Sequence, residues 1–241
     1  MWRPRTRRRA EPTPAGASTA YDELRTTFTA AVSHELRTPL ARVLALLDTA
    51  LLPGSDVEQL LEQARREIEQ ASELIDEVLF LSELETDAGA VAFGSTAVAP
   101  VAADVFSTLR ERAELAGVDL RADLSLSFEL PLRRRLVRIV VENLAENAIR
   151  HAGSGAVFVL TGAVEADRLV LSAVDDGVGV DRGDLPRLLE RFFRADPVRG
   201  SEGSGLGLAI VKHIVAAAGG DVRLESPRRG LAVRCVFPAA P

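Results

Sequence analysis

Residues 33–40 carry the segment that decides the fold of the first part of the chain, Ser33-His34-Glu35-Leu36-Arg37-Thr38-Pro39-Leu40. It lies inside a run from about Tyr21 to Leu52 in which apolar residues recur every three or four positions, the pattern of an amphipathic helix. Pro39 would then stand in a helix interior, where a proline costs roughly 3 kcal/mol and kinks the helix. A residue that costly indicates that the segment does more than form a helix.

A second helical run follows a break at Pro53-Gly54-Ser55-Asp56, in which Asp56 is placed to cap the next helix. From Val57 to Leu81 apolar residues again recur at helical spacing. Two helices of roughly 30 residues joined by a tight turn form a hairpin, and the apolar stripes are wider than one hairpin can cover. The pattern therefore predicts a dimeric four-helix bundle.

Beyond about Asp87 short strand-like and helical stretches alternate, which predicts an α/β sandwich with one layer of helices on one sheet. The predicted strands are 91–93, 118–124, 157–161, 168–174, 221–225 and 231–237. The predicted helices are 98–116, 133–151, 185–191 and 207–218. We divide the chain into a basic, proline-containing linker (1–20), a helical hairpin (21–86) and an α/β domain (87–241).

Composition excludes several classes of function. With 47% hydrophobic and 27% charged residues the chain is globular, and a net charge of −6 without a basic, aromatic-rich strip argues against nucleic-acid binding. The lone Cys235 excludes an internal disulfide framework, fits a reducing compartment, and lies in an apolar run that predicts a buried thiol.

The basic start of the chain leaves two interpretations open. Residues 1–9 lack the apolar segment of a signal peptide, and no stretch reaches the roughly 18–20 apolar residues of a membrane helix. A solvated tail fits this composition. A juxtamembrane segment on the cytoplasmic side of a membrane fits it as well.

Three groups of residues indicate chemistry. His34 and Thr38 share a helix face with Glu35 beside them, and a carboxylate can take the proton of an imidazole and make it a better nucleophile. Within 142–151, one helix face carries Asn143, Asn147, Arg150 and His151, a set with oxygen ligands for Mg²⁺ and a guanidinium for phosphate, although an ordinary polar face would look similar.

The third group consists of glycine-containing loops. Asp175 ends an apolar strand and is followed by Gly177 and Gly179, which allow the backbone to approach a ligand closely. Gly203, Gly205 and Gly207 open a helix, whose N-terminal N–H groups attract phosphate. Their spacing differs from that of a dinucleotide-binding loop.

Taken in order, these segments resemble the H, N, G1, F and G2 boxes of sensor histidine kinases over about residues 21–238. The resemblance implies a bundle followed by an ATP-binding domain of the GHKL, or Bergerat, type. It implies that His34 attacks the γ-phosphate of ATP with Glu35 as the neighbouring base, and that Thr38 helps to dephosphorylate the partner regulator.

The same resemblance implies the nucleotide site. Asn147 would bind Mg²⁺, Arg150 the phosphates, His151 the nucleotide, and Asp175 the adenine amino group. The remaining implied nucleotide-binding residues are Asn143, Gly177, Gly179, Phe193, Arg194, Gly203, Gly205, Leu206 and Gly207, with residues 195–204 as a mobile lid. Related ATPases place a hydrolytic glutamate four residues before the metal-binding asparagine; Asn143 stands there instead, which favours phosphotransfer over hydrolysis.

The sequence departs from the family pattern at few places. Asp176 stands where asparagine is usual, and Val178 stands where proline is frequent. Residues 130–133 stand where a Gly-Asp pair is frequent. The implied partners are ATP, Mg²⁺, a second copy bound through the hairpin, and the receiver domain of a response regulator. The implied location is the cytoplasmic side of a membrane, with any anchor upstream. A phosphatase-biased member and a nucleotide-binding scaffold without transfer remain alternatives.

Overall fold

The computed structural model describes residues 15–86, 94–195, 203–227 and 229–238, with the side chains of 15–28, 85 and 86 left out. These residues form two compact units, one ending at Ile68 and the other beginning at Glu69. The division falls inside the second helix, whereas the sequence-based boundary at 86/87 is placed at the helix end; that boundary stays a prediction. Among the described residues, no helix combines the length and the apolar character needed to span a membrane.

Two long helices open the chain, α1 at Ala15–Ala50 and α2 at Val57–Thr86. Helix α1 runs through Pro39 without ending. In the turn, the Ser55 hydroxyl donates to the carbonyl of Thr49 at 2.6 Å, and the Asp56 carboxylate accepts the backbone N–H of Gln59 at 3.1 Å. The predicted hairpin helices and the predicted Asp56 cap are therefore confirmed.

Both helices keep large apolar side chains in contact with solvent. On α1, α2 and the turn between them the exposed ones are Leu40, Leu44, Leu47, Leu51, Leu52, Val57, Leu61, Ile68, Ile75 and Leu79. Apolar area of this extent on a soluble helix is a common mark of an association surface.

The rest of the chain forms a five-stranded sheet with the order β2-β4-β5-β7-β6. Its strands are β2 at Asp119–Asp123, β4 at Val157–Glu165, β5 at Arg168–Asp175, β6 at Asp221–Glu225 and β7 at Ala232–Pro238. Strand β2 pairs parallel to β4 and the other pairs are antiparallel. Two short strands, β1 at Thr96–Ala97 and β3 at Glu129–Leu130, pair separately.

Three helices accompany this sheet: α3 at Val98–Ala116, α4 at Arg134–His151 and α5 at Gly207–Ala217. Each buries an apolar face, represented by Val105 on α3, Leu144 on α4 and Ile214 on α5. Cys235 on β7 is fully buried, as predicted, and burial raises the pKa of its thiol to about 12, which keeps it inert. The predicted α/β sandwich is confirmed.

Several predicted elements differ in the structure. The helix predicted over 185–191 is only a 3-10 turn at Leu185–Arg187, and the backbone hydrogen bonds that follow it span three residues instead of four. The chain leaves helical geometry at Phe192, whose positive φ is held by a hydrogen bond to Gly205. Strand β4 runs on to Glu165 and turns into β5 through Ala166 and Asp167, both with positive φ. Strands β1 and β3 are too short to leave a periodic pattern, and the strand predicted at 91–93 lies outside the described residues.

Candidate active site

His34 lies exposed on the surface of α1. Together with Arg37, Thr38, Ala41, Arg42 and Ala45 it lines a shallow depression of about 450 Å³. The Thr38 hydroxyl donates to the carbonyl of His34 at 3.4 Å, and Arg42 pairs with Glu67 at 3.4 Å. An exposed imidazole in such a depression is accessible to a phosphoryl donor, and Arg37 places a positive charge beside it.

Pro39 changes the backbone directly below His34. Because Pro39 has no N–H, the carbonyl of Glu35 one turn earlier receives no helix hydrogen bond from it. Glu35 itself is half-buried, next to the exposed His34. The His34–Glu35 pair therefore lies on a helix turn whose hydrogen bonding is incomplete.

The two asparagines of α4 have different surroundings. The amide of Asn143 donates to the carbonyl of Ile139 at 2.9 Å, and a Cβ added to Gly207 would lie 2.6 Å from the Asn143 Oδ1. The half-buried Asn147 makes no side-chain hydrogen bond to any residue that the structure describes. The amide oxygen of Asn147 is therefore available to a hard cation, which fits the Mg²⁺ expected there.

Arg150 is held in place by the carboxylate of Glu146. Glu146 accepts hydrogen bonds from Arg150 at 2.9 Å and from Arg112 of α3 at 2.6 Å. Desolvation lowers the pKa of the neighbouring His151, and the charges of Arg150 and Arg194 lower it further. Arg150, His151 and Arg194 are therefore gathered near the end of α4, where the cations make a favourable site for phosphate.

Asp175 at the end of β5 is the only buried polar or charged residue in the described part of the chain, with 7% of its surface exposed. Its Oδ1 accepts the N–H of Gly177 at 3.0 Å, and its own N–H donates to the carbonyl of Leu231 at 3.0 Å. Burial raises the pKa of its carboxyl group. An isolated acceptor at a strand end suits recognition of an amino group.

Two glycines explain how the backbone closes around Asp175. A Cβ on Gly177 would overlap the carbonyl oxygen of Ala152, and a Cβ on Gly230 would overlap that of Asp175. Gly179 has a positive φ of 75°. Asp176, which departs from the family pattern, accepts the N–H of Val157 at 2.7 Å and so fastens the loop to β4.

The glycine-rich loop before α5 is joined to the preceding phenylalanine segment. The N–H of Phe192, a residue with a φ of 62°, donates to the carbonyl of Gly205 at 3.0 Å. The guanidinium of Arg187 lies 4.1 Å from the centre of the Phe193 ring. The side chain of Leu206 is fully buried, and its backbone N–H donates to Ser204 Oγ at 3.2 Å.

Gly203 adjoins the guanidinium of Arg150, since a Cβ there would lie 2.9 Å from its Nη1. The structure thus places the predicted residues of 143–151 and of 203–207 against each other. Of the predicted lid over 195–204, residues 196–202 lie outside the described residues. The sequence analysis did not predict a role in the site for Arg112, Glu146, Ser204 and Gly230. Gly230 could have been found from its position just before the last strand, where a glycine allows close approach of the backbone.

Two family models match this chain. The His Kinase A (phospho-acceptor) domain matches residues 24–87, and the histidine kinase-, DNA gyrase B- and HSP90-like ATPase matches residues 133–241. The chain belongs to the sensor histidine kinases. The kinase core thus has the predicted fold class. His34 lies in the first matched segment, and Asn147 and Asp175 lie in the second.

Individual relatives agree with that assignment. The sensor-like histidine kinase SenX3 of Mycobacterium tuberculosis is 31% identical over 219 residues, which are 88% of this chain and 53% of the relative. The structure of full-length ShkA in complex with AMPPNP matches with a TM-score of 0.64 and 26% identity over 88% of this chain and 45% of ShkA. The kinase core therefore spans about half the length of the curated relatives that it matches.

A third comparison concerns the fold alone. The structure of the histidine kinase ThkA in complex with the response regulator protein TrrA matches with a TM-score of 0.70 at 20% identity, covering 89% of this chain and 62% of ThkA. At this identity the match shows that the two chains share a fold.

Proposed function

We propose that this kinase core phosphorylates its own His34 with ATP and passes the phosphoryl group to an aspartate of a response regulator. The observation that carries the proposal is the exposed His34 in a depression lined by Arg37 and Arg42. An imidazole that serves structure alone has no need of such access. Family membership supports the same assignment.

In the proposed reaction a ring nitrogen of His34 attacks the γ-phosphorus of ATP. A phosphorus–nitrogen bond forms, the bond from the γ-phosphorus to the bridging oxygen breaks, and ADP leaves with that electron pair. The carboxylate of Glu35, the next residue, takes the proton of the imidazole. The acceptor aspartate of a regulator then attacks the phosphorus and the phosphorus–nitrogen bond breaks, while the proton held by Glu35 returns to the ring, so that His34 leaves as the neutral imidazole.

The α/β unit would hold the donor. The buried Asp175 would accept a hydrogen bond from the adenine amino group. Arg150 and Arg194 would bind phosphate oxygens, and the hydrogen bond to Glu146 would orient the Arg150 guanidinium. The N-terminus of α5 adds backbone N–H groups. Mg²⁺, when bound by Asn147, would neutralise phosphate charge.

Transfer is favoured over hydrolysis because Asn143, at the position where related ATPases have a glutamate, carries no basic group. Its amide is already engaged with the carbonyl of Ile139. Nothing at this position can take a proton from water. The γ-phosphate is therefore reserved for a nucleophile brought to it, which matches a kinase.

The partner would dock around His34. Arg37 and Arg42 suit the acidic pocket in which a receiver domain holds its aspartate, and a histidine kinase of the same fold is known in complex with a response regulator. Thr38, exposed one turn from His34, would orient water when the phosphoryl group is removed from the regulator again. A second copy would pack on the exposed apolar residues of the hairpin.

The test is incubation of the purified chain with γ-labelled ATP and Mg²⁺. We expect acid-labile, base-stable label on the wild type and none on His34→Gln, while the matched control His213→Gln keeps it. Label that persists in His34→Gln would show a different acceptor. Nucleotide binding without any label on the wild type would favour the scaffold alternative.

A further inference from the structure

Helix α2 carries one acidic residue, Glu77, on an otherwise apolar buried stripe. The stripe consists of Leu74, Leu81 and Leu84, with 6%, 0% and 3% of their surfaces exposed, and Glu77 continues it at helical spacing. A carboxylate among buried leucines costs free energy unless it has a partner. Its presence there is the one break in the pattern of this face.

The partner of Glu77 is the glycine-rich loop of the proposed nucleotide site. The hydroxyl of Ser204 donates to the Glu77 carboxylate at 2.5 Å and accepts the N–H of Leu206 at 3.2 Å. Burial raises the pKa of Glu77, and the hydrogen bond from Ser204 and the charge of Arg150 act against that rise. Glu77 therefore touches the loop that opens α5 and lies in the field of Arg150.

The same loop and the same arginine are the groups proposed to hold the phosphates. Gly203 of the loop adjoins the Arg150 guanidinium, and Glu146 holds that guanidinium from its other side. Two anions, Glu77 and a triphosphate, would thus share one set of donors, and like charges at close range oppose each other. Phosphate bound at this place would therefore weaken the hydrogen bond between the loop and Glu77, and Glu77 would weaken phosphate binding.

We propose that Glu77 is an internal anion that competes with nucleotide phosphates for the Ser204 loop and Arg150, so that nucleotide binding releases this part of helix α2. This inference rests on the proposed nucleotide site. By reciprocity, the factor by which Glu77 lowers nucleotide affinity equals the factor by which nucleotide loosens the Glu77 contact. Helix α2 would in this way report nucleotide occupancy to the hairpin of which it is a part.

The decisive variant is Glu77→Gln, which keeps the shape and the hydrogen-bond acceptor but removes the charge. We expect it to bind ATP and ADP roughly fivefold or more tightly than the wild type, the usual lower range of such coupling. Adenosine, which lacks phosphates, should bind both proteins equally. Glu83→Gln, an exposed charge removed from the same helix, is the matched control and should leave all three affinities unchanged.

Equilibrium titration with a fluorescent ATP analogue, followed by displacement with each ligand, gives these affinities. Equal or weaker ATP binding by Glu77→Gln would overturn the proposal, as would an equal gain for adenosine, which indicates a loosened fold. Hydrogen exchange on the wild type is the second measurement: ATP, but not adenosine, should speed exchange in residues 69–84, and no difference would overturn the release. Failure of the proposed function would give a different result, namely wild-type protein that binds ATP but carries no label on His34.

Discussion

Asn143 and Asn147 stand one helical turn apart on α4, yet the contacts of their side chains differ. Asn143 is bonded to Ile139 and packed on Gly207, whereas the amide of Asn147 is unbonded within the described part of the chain. We predict that Asn147→Ala weakens Mg²⁺-dependent ATP binding by roughly tenfold or more, about the loss of one good ligand contact, with little change in Tm. Asn143→Ala should instead lower Tm by several degrees, because a half-buried bond and packing are lost.

Calorimetric titration and thermal unfolding of the two variants separate these outcomes. The oligomeric state of the wild type should persist in both, since neither residue belongs to the hairpin. If Asn147→Ala lowers Tm as much as Asn143→Ala does, Asn147 serves the fold rather than the ligand.

Asp175 illustrates the conflict between stability and recognition at a single position. Its folded-state pKa is raised by burial, so the ionised carboxylate destabilises the nucleotide-free fold. A carboxyl group whose pKa is higher in the folded than in the unfolded protein stabilises the fold at a pH below its unfolded pKa. This contribution to stability is lost as the pH rises through the folded pKa. We therefore predict that Asp175→Asn unfolds at a higher temperature than the wild type at neutral pH, and that this advantage disappears toward about pH 4.

Nucleotide affinity should move in the opposite direction, because the asparagine presents a weaker acceptor to the adenine amino group. Thermal scans from pH 4 to 8 without nucleotide, together with ATP titration at pH 7, measure both effects. The replacement Asp176→Asn is the matched control, and its effect on stability should be governed by the bond to Val157. A lower Tm for Asp175→Asn at pH 7 contradicts the argument.

At the scale of elements, helix α1 includes a residue that its own stability disfavours. Pro39 withholds a hydrogen bond from the carbonyl of Glu35 directly below the exposed His34. We predict that Pro39→Ala raises the helical content and Tm of the protein, since proline in a helix interior costs roughly 3 kcal/mol. Labelling of His34 should slow at the same time, because the Glu35 turn becomes regular.

Circular dichroism and the initial rate of labelling test this pair of effects. Asp48→Ala, at an exposed position of the same helix, should alter neither quantity by a comparable amount. An unchanged or lower Tm in Pro39→Ala would mean that the packing around the proline already compensates for its cost.

The elements also show which features a sequence reveals. The bounds of α3 and β6 match their predictions, because apolar periodicity and flanking Gly117 or Gly219 mark them locally. The helix predicted over 185–191 was wrong because the chain turns at the left-handed Phe192, which is fixed by a hydrogen bond to Gly205, more than ten residues later. Likewise, Arg112 hydrogen-bonds to Glu146 and Ser204 hydrogen-bonds to Glu77. Each pair joins residues far apart in the sequence, so no local pattern predicts it.

At the scale of the whole molecule, the exposed apolar residues are distributed unevenly. Leu44 and Leu61, on the two hairpin helices, have 63% and 51% of their surfaces exposed and belong to extended stripes. Leu126, in the other unit, is more exposed at 82% but lies between serines in a turn. Scattered apolar residues are ordinary at a protein surface, whereas a stripe along a helix requires a partner.

We therefore predict that Leu44→Glu combined with Leu61→Glu converts a dimer into a monomer, because charges placed on the stripes oppose burial against a second copy. Light scattering coupled to size exclusion measures the mass, and Leu126→Glu, equally polar and more exposed, should leave the dimer unchanged. The monomer should still bind ATP, since the nucleotide residues lie on 143–207. If the double variant keeps the dimer mass, association does not use the stripes; if the wild type is itself monomeric, the stripes are covered by another partner. A monomer that binds ATP normally but labels His34 slowly would show that the hairpin dimer supports the transfer step rather than the nucleotide site.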